Sequence, residues 1–261
     1  MRCKIIYEDE KLIVIHKPAN MATQSADVMS VDVVSEIRGY LKAPYLGIVH
    51  RLDQPVEGLL VFAKDKKTAA ALSGQLESGK LKKQYLVLAA DCREKSIRED
   101  TSPGEGDMID ISSLMKKDSR SRCALVRDIR ALIKDQSGGS KELYKGSGYV
   151  SKTDADSDGW KAAHTVCRVL EADSKKGAYK CRVEISTGRF HQIRAHLSSI
   201  SFPLLGDRKY GCERSEELAG IYGVYGLALI ADRLVFEHPS TRRIFEFSLG
   251  REDLPAWFFR S

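Results

Sequence analysis

Apolar residues in this chain fall in short runs and alternations rather than in long helical stripes. Ile5 and Ile6, then Leu12 to Ile15, flank the acidic stretch Glu8-Asp9-Glu10, which predicts a hairpin with a charged turn. Lys17-Pro18 ends its second strand, because proline cannot continue a central ladder. Residues 59–63 are an unbroken apolar run bounded by Gly58 and by charge, the pattern of a buried strand. A strand-like run covers residues 82–89, with Tyr85 near its head, and another covers residues 162–170. Residues 179–187 alternate, with Cys181, Val183 and Ile185 on one face and Arg182, Glu184 and Ser186 on the other, as in a half-buried antiparallel strand. The last strands are predicted at 226–229, 233–236 and 244–247, the final pair joined by a turn at His238-Pro239.

Helical spacing is rarer. Val33, Val34, Ile37 and Leu41 follow Asp32 and predict a short helix within residues 31–41. Asp65 is placed to cap a helix over 67–76 that ends near Gly79. Phe190, Ile193, Leu197 and Ile200 mark the stripe of a third helix after the turn Thr187-Gly188, with His191 and Arg194 sharing a face. Residues 91–161 read as polar and irregular. Within them, 138–158 are rich in Ser, Gly, Lys and Asp, and a surface insertion is expected around 128–160. Strands outnumber helices and the connections are hairpins, so an antiparallel α+β domain is predicted. With no internal repeat, a single domain over residues 1–261 is expected.

Composition narrows the function. The chain has 261 residues, 43% hydrophobic and 30% charged, ordinary for a globular protein. Its 42 Lys and Arg against 36 Asp and Glu leave a net charge of +6, which suits an anionic partner such as RNA. No apolar stretch has membrane-spanning length and the N-terminus lacks a signal-peptide core, so a cytosolic protein is expected. The six cysteines form no C-x-x-C pair and are expected to be reduced. His191 and His196 are five apart and do not share a helix face as metal ligands would, so no metal site is expected.

The candidate chemistry centres on His50 to Leu60, HRLDQPVEGLL. Asp53 precedes the buried strand, on a loop where a rigid scaffold can present a carboxylate. A turn aspartate capping local backbone is the plain alternative. Three further stretches follow in order: KQY at 83–85, GRFHQIRAHL at 188–197 and GDRKYG at 206–211. Together they resemble the RluA-type pseudouridine synthases, whose pattern is H-R-L-D-x-x-T-S-G-L-L, K-x-Y, G-R-x-H-Q-I-R-x-H-L and G-D-x-x-Y-G. The opening, YEDEKLIVIHKPANMATQ, is similar to the family's start, and residues 107–122 resemble its G-x-I-x-x-P-L-x-K-D segment with Ser113 in place of proline. Each motif alone is weak; their fixed order is specific.

The resemblance implies a large mixed, mostly antiparallel sheet flanked by helices, with an RNA-binding cleft. It implies a lone catalytic domain without the basic RNA-binding appendage some members carry. It also implies isomerisation of uridine in ribosomal or transfer RNA without a cofactor, by a monomer. Asp53 matches the family's catalytic aspartate, attacking the sugar or acting as a base. Arg194 matches the arginine that pairs with it, a surface helix arginine being the alternative. Tyr85 matches the active-site tyrosine, and a core strand tyrosine is compatible with that. Arg51 is implied to fill the gap left by a flipped uridine. His50, His191 and Gln192 are scaffold or RNA contacts, and Lys17 is an RNA contact or a solvated strand-end lysine. Gly58, Gly188, Gly206 and Gly211 are expected at turns. Val56-Glu57 replaces the usual T-S and Phe190 a usual Thr, departures that bear on substrate choice.

Other classes fit less well. A catalytically silent RNA-binding protein would be expected to lose the acid or the arginine, and both are present. HRLD without a glycine-rich loop, a strand lysine in V-A-I-K or D-F-G is no kinase signature, and no G-x-S-x-G elbow marks a hydrolase. Target choice is expected to lie in residues 138–158 and in the cluster Lys80, Lys82 and Lys83.

Overall fold

In the computed structural model, residues 1–25, 30–94, 102–145 and 159–260 are described. The chain is α+β, with mixed, mostly antiparallel sheet, and its contacts cluster into two compact units. The first comprises residues 1–85 and 230–254, the second residues 86–229 and 255–261. Both lie within what the sequence pattern predicts as one catalytic domain.

The first unit begins with strands β1 (Lys4–Glu8) and β2 (Leu12–Lys17), joined through the acidic turn. Asp9 closes that turn by accepting the backbone N–H groups of Lys11 and Leu12 at 2.7 and 2.9 Å. Helix α1 (Val33–Leu41) starts where Asp32 accepts the Ser35 N–H, and Ser35 returns the bond in a capping box. Short β3 (Gly47–Ile48) and long β4 (Glu57–Ala63) follow, then α2 (Lys66–Glu77), capped by Asp65 through the Thr68 N–H. β4 pairs antiparallel with β2 and parallel with β11 (Leu229–Glu237), and β12 (Ile244–Ser248) pairs with β11. Flanked on both edges, β4 buries Gly58 through Ala63, which is why its sequence is continuously apolar rather than alternating. Leu12, Val14, Leu59, Val61, Leu72 and Phe236 form the core beneath.

Gly58 is not at a turn. It lies within β4 at φ +133°, where a Cβ would collide with the backbone of Ala231 in the paired β11. Only glycine permits that approach. The predicted break at 230–232 is also absent, since β11 runs unbroken from Leu229 to Glu237 with Asp232 buried inside it.

The chain passes into the second unit within β5 (Lys82–Ala90). That unit carries an antiparallel sheet of β10 (Ala178–Ile185), β9 (Lys161–Asp173), β6 (Met108–Asp118), β7 (Cys123–Lys134) and β8 (Ser140–Lys145), in that spatial order. The prediction that residues 91–161 are irregular is therefore wrong for β6 to β8. Ile109, Ile111 and Met115 do alternate, as do Ile129, Ala131 and Ile133, but charged and hydroxyl residues on the wet face mask the signal. Residues 128–145 of the expected insertion are largely this β7–β8 hairpin, and residues 146–158 lie outside the described ones.

Helix α3 (Gln192–Ser199) begins later than its apolar stripe suggests. His191 is its N-cap, in the left-handed region at φ 53°, and Phe190 precedes the helix. Gln192 through Leu197 are all buried, so α3 is enclosed rather than amphipathic, and its polar residues must find partners inside. A helix not anticipated, α4 (Glu213–Tyr222), follows the GDRKYG turn. Cys92 and Cys212, expected to be reduced, lie against each other across a separation of 120 residues, a proximity that local spacing cannot announce. Cys3, Cys123, Cys167 and Cys181 are free thiols.

Candidate active-site residues

In the first unit, Asp53 lies on the loop between β3 and β4, half-buried, with exposed Arg51 two residues before it. The loop is fastened on both sides of the acid. The Thr23 hydroxyl donates to the Leu52 carbonyl at 2.8 Å and accepts the Leu52 N–H at 3.1 Å, a buried two-way clamp. After the acid, the Val56 N–H closes a turn onto the Asp53 carbonyl at 3.0 Å. Before it, His50 Nε2 accepts the Val61 N–H of β4 at 3.4 Å. Burial and then the charge of Lys83 hold the His50 imidazole down to about 3, so it is neutral and serves as an acceptor.

Lys17 corrects the sequence-based expectation. It is fully buried, and its ammonium donates to the carbonyls of Pro18, Met21 and Gln54 at 2.9, 2.7 and 3.2 Å. An amine spent on three backbone acceptors is neither solvated nor presented to RNA. It ties the end of β2 to the Asp53 loop. Burial lowers it to about 8 against the opposing pull of Cys3, Glu57 and Asp53. Tyr85 is 5% exposed, and its hydroxyl is pushed well above the usual range by burial first and by the Asp53 charge second. The tyrosine therefore stays protonated at neutral pH, within the field of the carboxylate.

In the second unit, Arg194 is 5% exposed and forms a bidentate pair with Asp207, Nε to Oδ2 and Nη2 to Oδ1 both at 2.7 Å. Asp207 Oδ1 also accepts the backbone N–H groups of Lys209 and Tyr210 at 3.0 and 3.1 Å. Burial alone would raise this carboxyl, but the hydrogen bonds and charge of Arg194 and those two amides hold it below its ordinary value. The Tyr210 ring lies beneath the guanidinium, 5.1 Å from its carbon. Its hydroxyl accepts the Ala124 N–H at 2.6 Å, leaving its own hydrogen for His191 Nδ1 at 2.9 Å. His191 stacks on Phe190 with centroids 3.7 Å apart, and burial, then Arg194 and Lys209, lower it to about 4.

The remaining polar residues of α3 are equally committed. Gln192 donates to the His164 carbonyl and the Thr165 hydroxyl and accepts from Thr187 and Arg189, so no part of its amide is left for RNA. His196 bridges Ser113 on β6 and Thr165 on β9 at 2.7 and 2.8 Å, and burial lowers it to about 4. Ser113, which replaces a usual proline, thus supplies one end of an internal hydrogen-bond network. Sequence patterns gave no notice of Thr23 or Thr165 as supports, and Asp207 entered only as a member of the GDRKYG motif. Among the described residues no group of three or more His, Cys, Asp or Glu is placed to hold a metal.

Comparison with known proteins agrees with these motifs. The family described as RNA pseudouridylate synthase matches residues 11–199, a span that contains Asp53, Tyr85 and Arg194. The tRNA pseudouridine synthase C of Pasteurella multocida is 26% identical over 253 residues, covering 96% of this chain and 92% of that protein. An uncharacterized RNA pseudouridine synthase of Aquifex aeolicus is 31% identical over 247 residues, 90% of this chain and 65% of that protein. A ribosomal large subunit pseudouridine synthase D, from Nitrosomonas europaea, is 32% identical over 213 residues, 80% of this chain and 49% of that protein. The solved structure of human RNA pseudouridylate synthase domain containing 4 shares the fold, with a TM-score of 0.66 at 20% identity over 98% of this chain and 90% of that one. With more than half its length matched by the family, the chain belongs to the RNA pseudouridylate synthases, as an RluA-type enzyme that isomerises uridine in RNA.

Proposed function

We propose that the chain converts uridine to pseudouridine in ribosomal or transfer RNA, with Asp53 as the reacting group. The observation that carries this reading is the Asp53 loop itself. Its backbone is fixed by Thr23, Lys17 and His50, while Asp53 itself is half-buried and its charge reaches the buried Tyr85. The reaction breaks the bond between N1 of the base and C1′ of the sugar, turns the base, joins C5 to C1′ and releases the C5 proton. An ionised carboxylate serves either as nucleophile toward the sugar or as base, and a preset loop lowers the cost of positioning it.

Tyr85 is proposed to pack its ring against the target base. Its hydroxyl, held protonated by burial and by Asp53, acts as a donor while that carboxylate is charged. Arg194, fixed in orientation by Asp207, is proposed as the cation that favours the charged form of the acid, as the family match supports. Arg51 is proposed to occupy the space of the flipped uridine in a duplex. His50, His191 and Gln192 then act as scaffold.

The test is tritium release from RNA labelled at uridine C5, using separate ribosomal and transfer RNA fractions from cells lacking the protein. The expected result is release from one fraction by the wild-type chain and none by Asp53→Ala. Release that survives Asp53→Ala would overturn the role of the aspartate. Absence of release from both fractions would overturn the choice of RNA class.

A further inference from the structure

A groove of about 860 Å³ lies on the first unit between α2 and the turn joining β11 to β12. Ala71 and Gly74 of α2 and its C-cap Ser78 line it, and nothing beyond the helix stands within 4 Å of where a Cβ on Gly74 would lie. Three and four residues apart, they share one helix face and leave the groove open. Its width is preset. The Gln75 side chain donates to the Glu237 carbonyl at 2.7 Å and accepts the Glu237 N–H at 2.8 Å, so the turn is bolted to the helix.

Cations stand on both sides. Lys67 and Lys80 belong to the α2 side, Lys11 and Arg242 to the other. Lys67 and Lys80 are exposed and make no ion pair with any described residue. Arg242 is 79% exposed and reaches Glu237 at 2.9 Å, while Lys11 lies 3.6 Å from Asp65, and exposed pairs of this kind exchange readily for another anion. The cluster Lys80, Lys82 and Lys83 is thereby divided. Lys80 faces this groove, whereas Lys83 is drawn down to about 8 by burial near His50.

We propose that this groove holds the phosphate backbone of the substrate RNA at a distance from the reacting uridine. Cations on two facing walls suit a run of phosphates passing between them better than a single small anion. The absence of large apolar side chains in the lining disfavours a hydrophobic peptide. The groove opens at the Asp65 end of β4, while Asp53 precedes the other end. Seven strand residues separate the two by roughly 20 Å, a span that several nucleotides of bound RNA cover. Such contacts position RNA without reading its sequence. The proposal rests on RNA being the substrate, and adds where on this chain its backbone is gripped.

The experiment measures binding of unmodified transfer RNA and large-subunit ribosomal RNA transcripts over a range of salt concentrations. One variant carries Lys67→Gln, Lys80→Gln and Arg242→Gln. A control carries Lys141→Gln, Arg168→Gln and Lys175→Gln, exposed cations of the second unit that lower the net charge equally. The dependence of log affinity on log salt is expected to fall by about one per groove cation, roughly three in all, and by less in the control. A groove variant with the wild-type slope overturns the proposal, and would be the result if an acidic protein were the true occupant. Equal loss in both variants also overturns it, because net charge alone would then explain the effect. This outcome is independent of tritium release, so failure of the Asp53 chemistry and failure of the groove are distinguishable.

Discussion

The Asp53 loop and the Arg194 helix are both candidate active-site regions, and the bonds that set each in place differ in kind. Around Asp53 the ties are to backbone: a threonine hydroxyl, a neutral histidine and a buried lysine fix the peptide groups beside the acid. Asp53 itself is half-buried. Around Arg194 the functional side chain itself is committed, buried in a bidentate pair and stacked on Tyr210. In the proposed roles, Asp53 changes its bonding during turnover and gains from a fixed backbone, while Arg194 supplies a constant charge and is locked by its head, at the expense of making the fold depend on it.

That contrast is breakable. The largest effect on stability is expected from Asp207→Asn, which leaves the Arg194 charge buried and weakly paired and should destabilise the chain by about 3–5 kcal/mol. Denaturant unfolding measures it. The double variant Arg194→Met with Asp207→Leu should recover much of that loss, since the cost lies in burying the charge without its bidentate carboxylate; additive losses would show the pair to be worth more than its desolvation. On the role proposed for Arg194, activity should stay low in both.

A smaller effect is expected from pH. The folded-state pKa of His196 is lowered by burial to about 4, below the unfolded value near 6.5. The unfolded chain therefore binds the proton more readily. Stability from this group is complete above pH 6.5 and is lost as pH falls toward 4, by about 3 kcal/mol in all. His191 titrates in the same sense and window. His196→Gln, able to bridge Ser113 and Thr165, should flatten this part of the acid limb; an unchanged profile between pH 6.5 and 4 would remove His196 from the account.

The smallest effect on stability, about 1–3 kcal/mol, is expected from Thr23→Val, which leaves the Leu52 backbone groups buried without their partner. Here turnover should fall while the folded chain persists, with kcat lowered more than RNA affinity, because the loop loses its setting and not its charge. Equal retention of kcat and stability would mean that Thr23 does not position Asp53.

Several features were legible from local pattern. Asp32 and Asp65 announced α1 and α2, since a cap is a local hydrogen bond to an N–H three residues on. The unbroken apolar run of β4 announced a strand covered on both faces. The order of motifs around Asp53, Tyr85 and Arg194 announced the family. Where the pattern failed, the missing information lay far away in the chain. β6 and β7 each alternate weakly, and become strands because they pair with one another and are flanked by β9 and β8. Gly58 reads as a turn until Ala231 is brought against it from another strand.

By itself the sequence determined which segments could be strand or helix and which residue types could do the chemistry, because period, capping and motif spacing are properties of neighbours in the chain. Only the tertiary structure decided what state those residues are in. Lys17 became an interior tie, Arg194 acquired Asp207, and His50, His191 and His196 were left neutral. The physical reason is that desolvation and pairing depend on what surrounds a charge in space, and those surroundings include residues from other parts of the chain: Gln54 for Lys17, Asp207 for Arg194, Ser113 and Thr165 for His196.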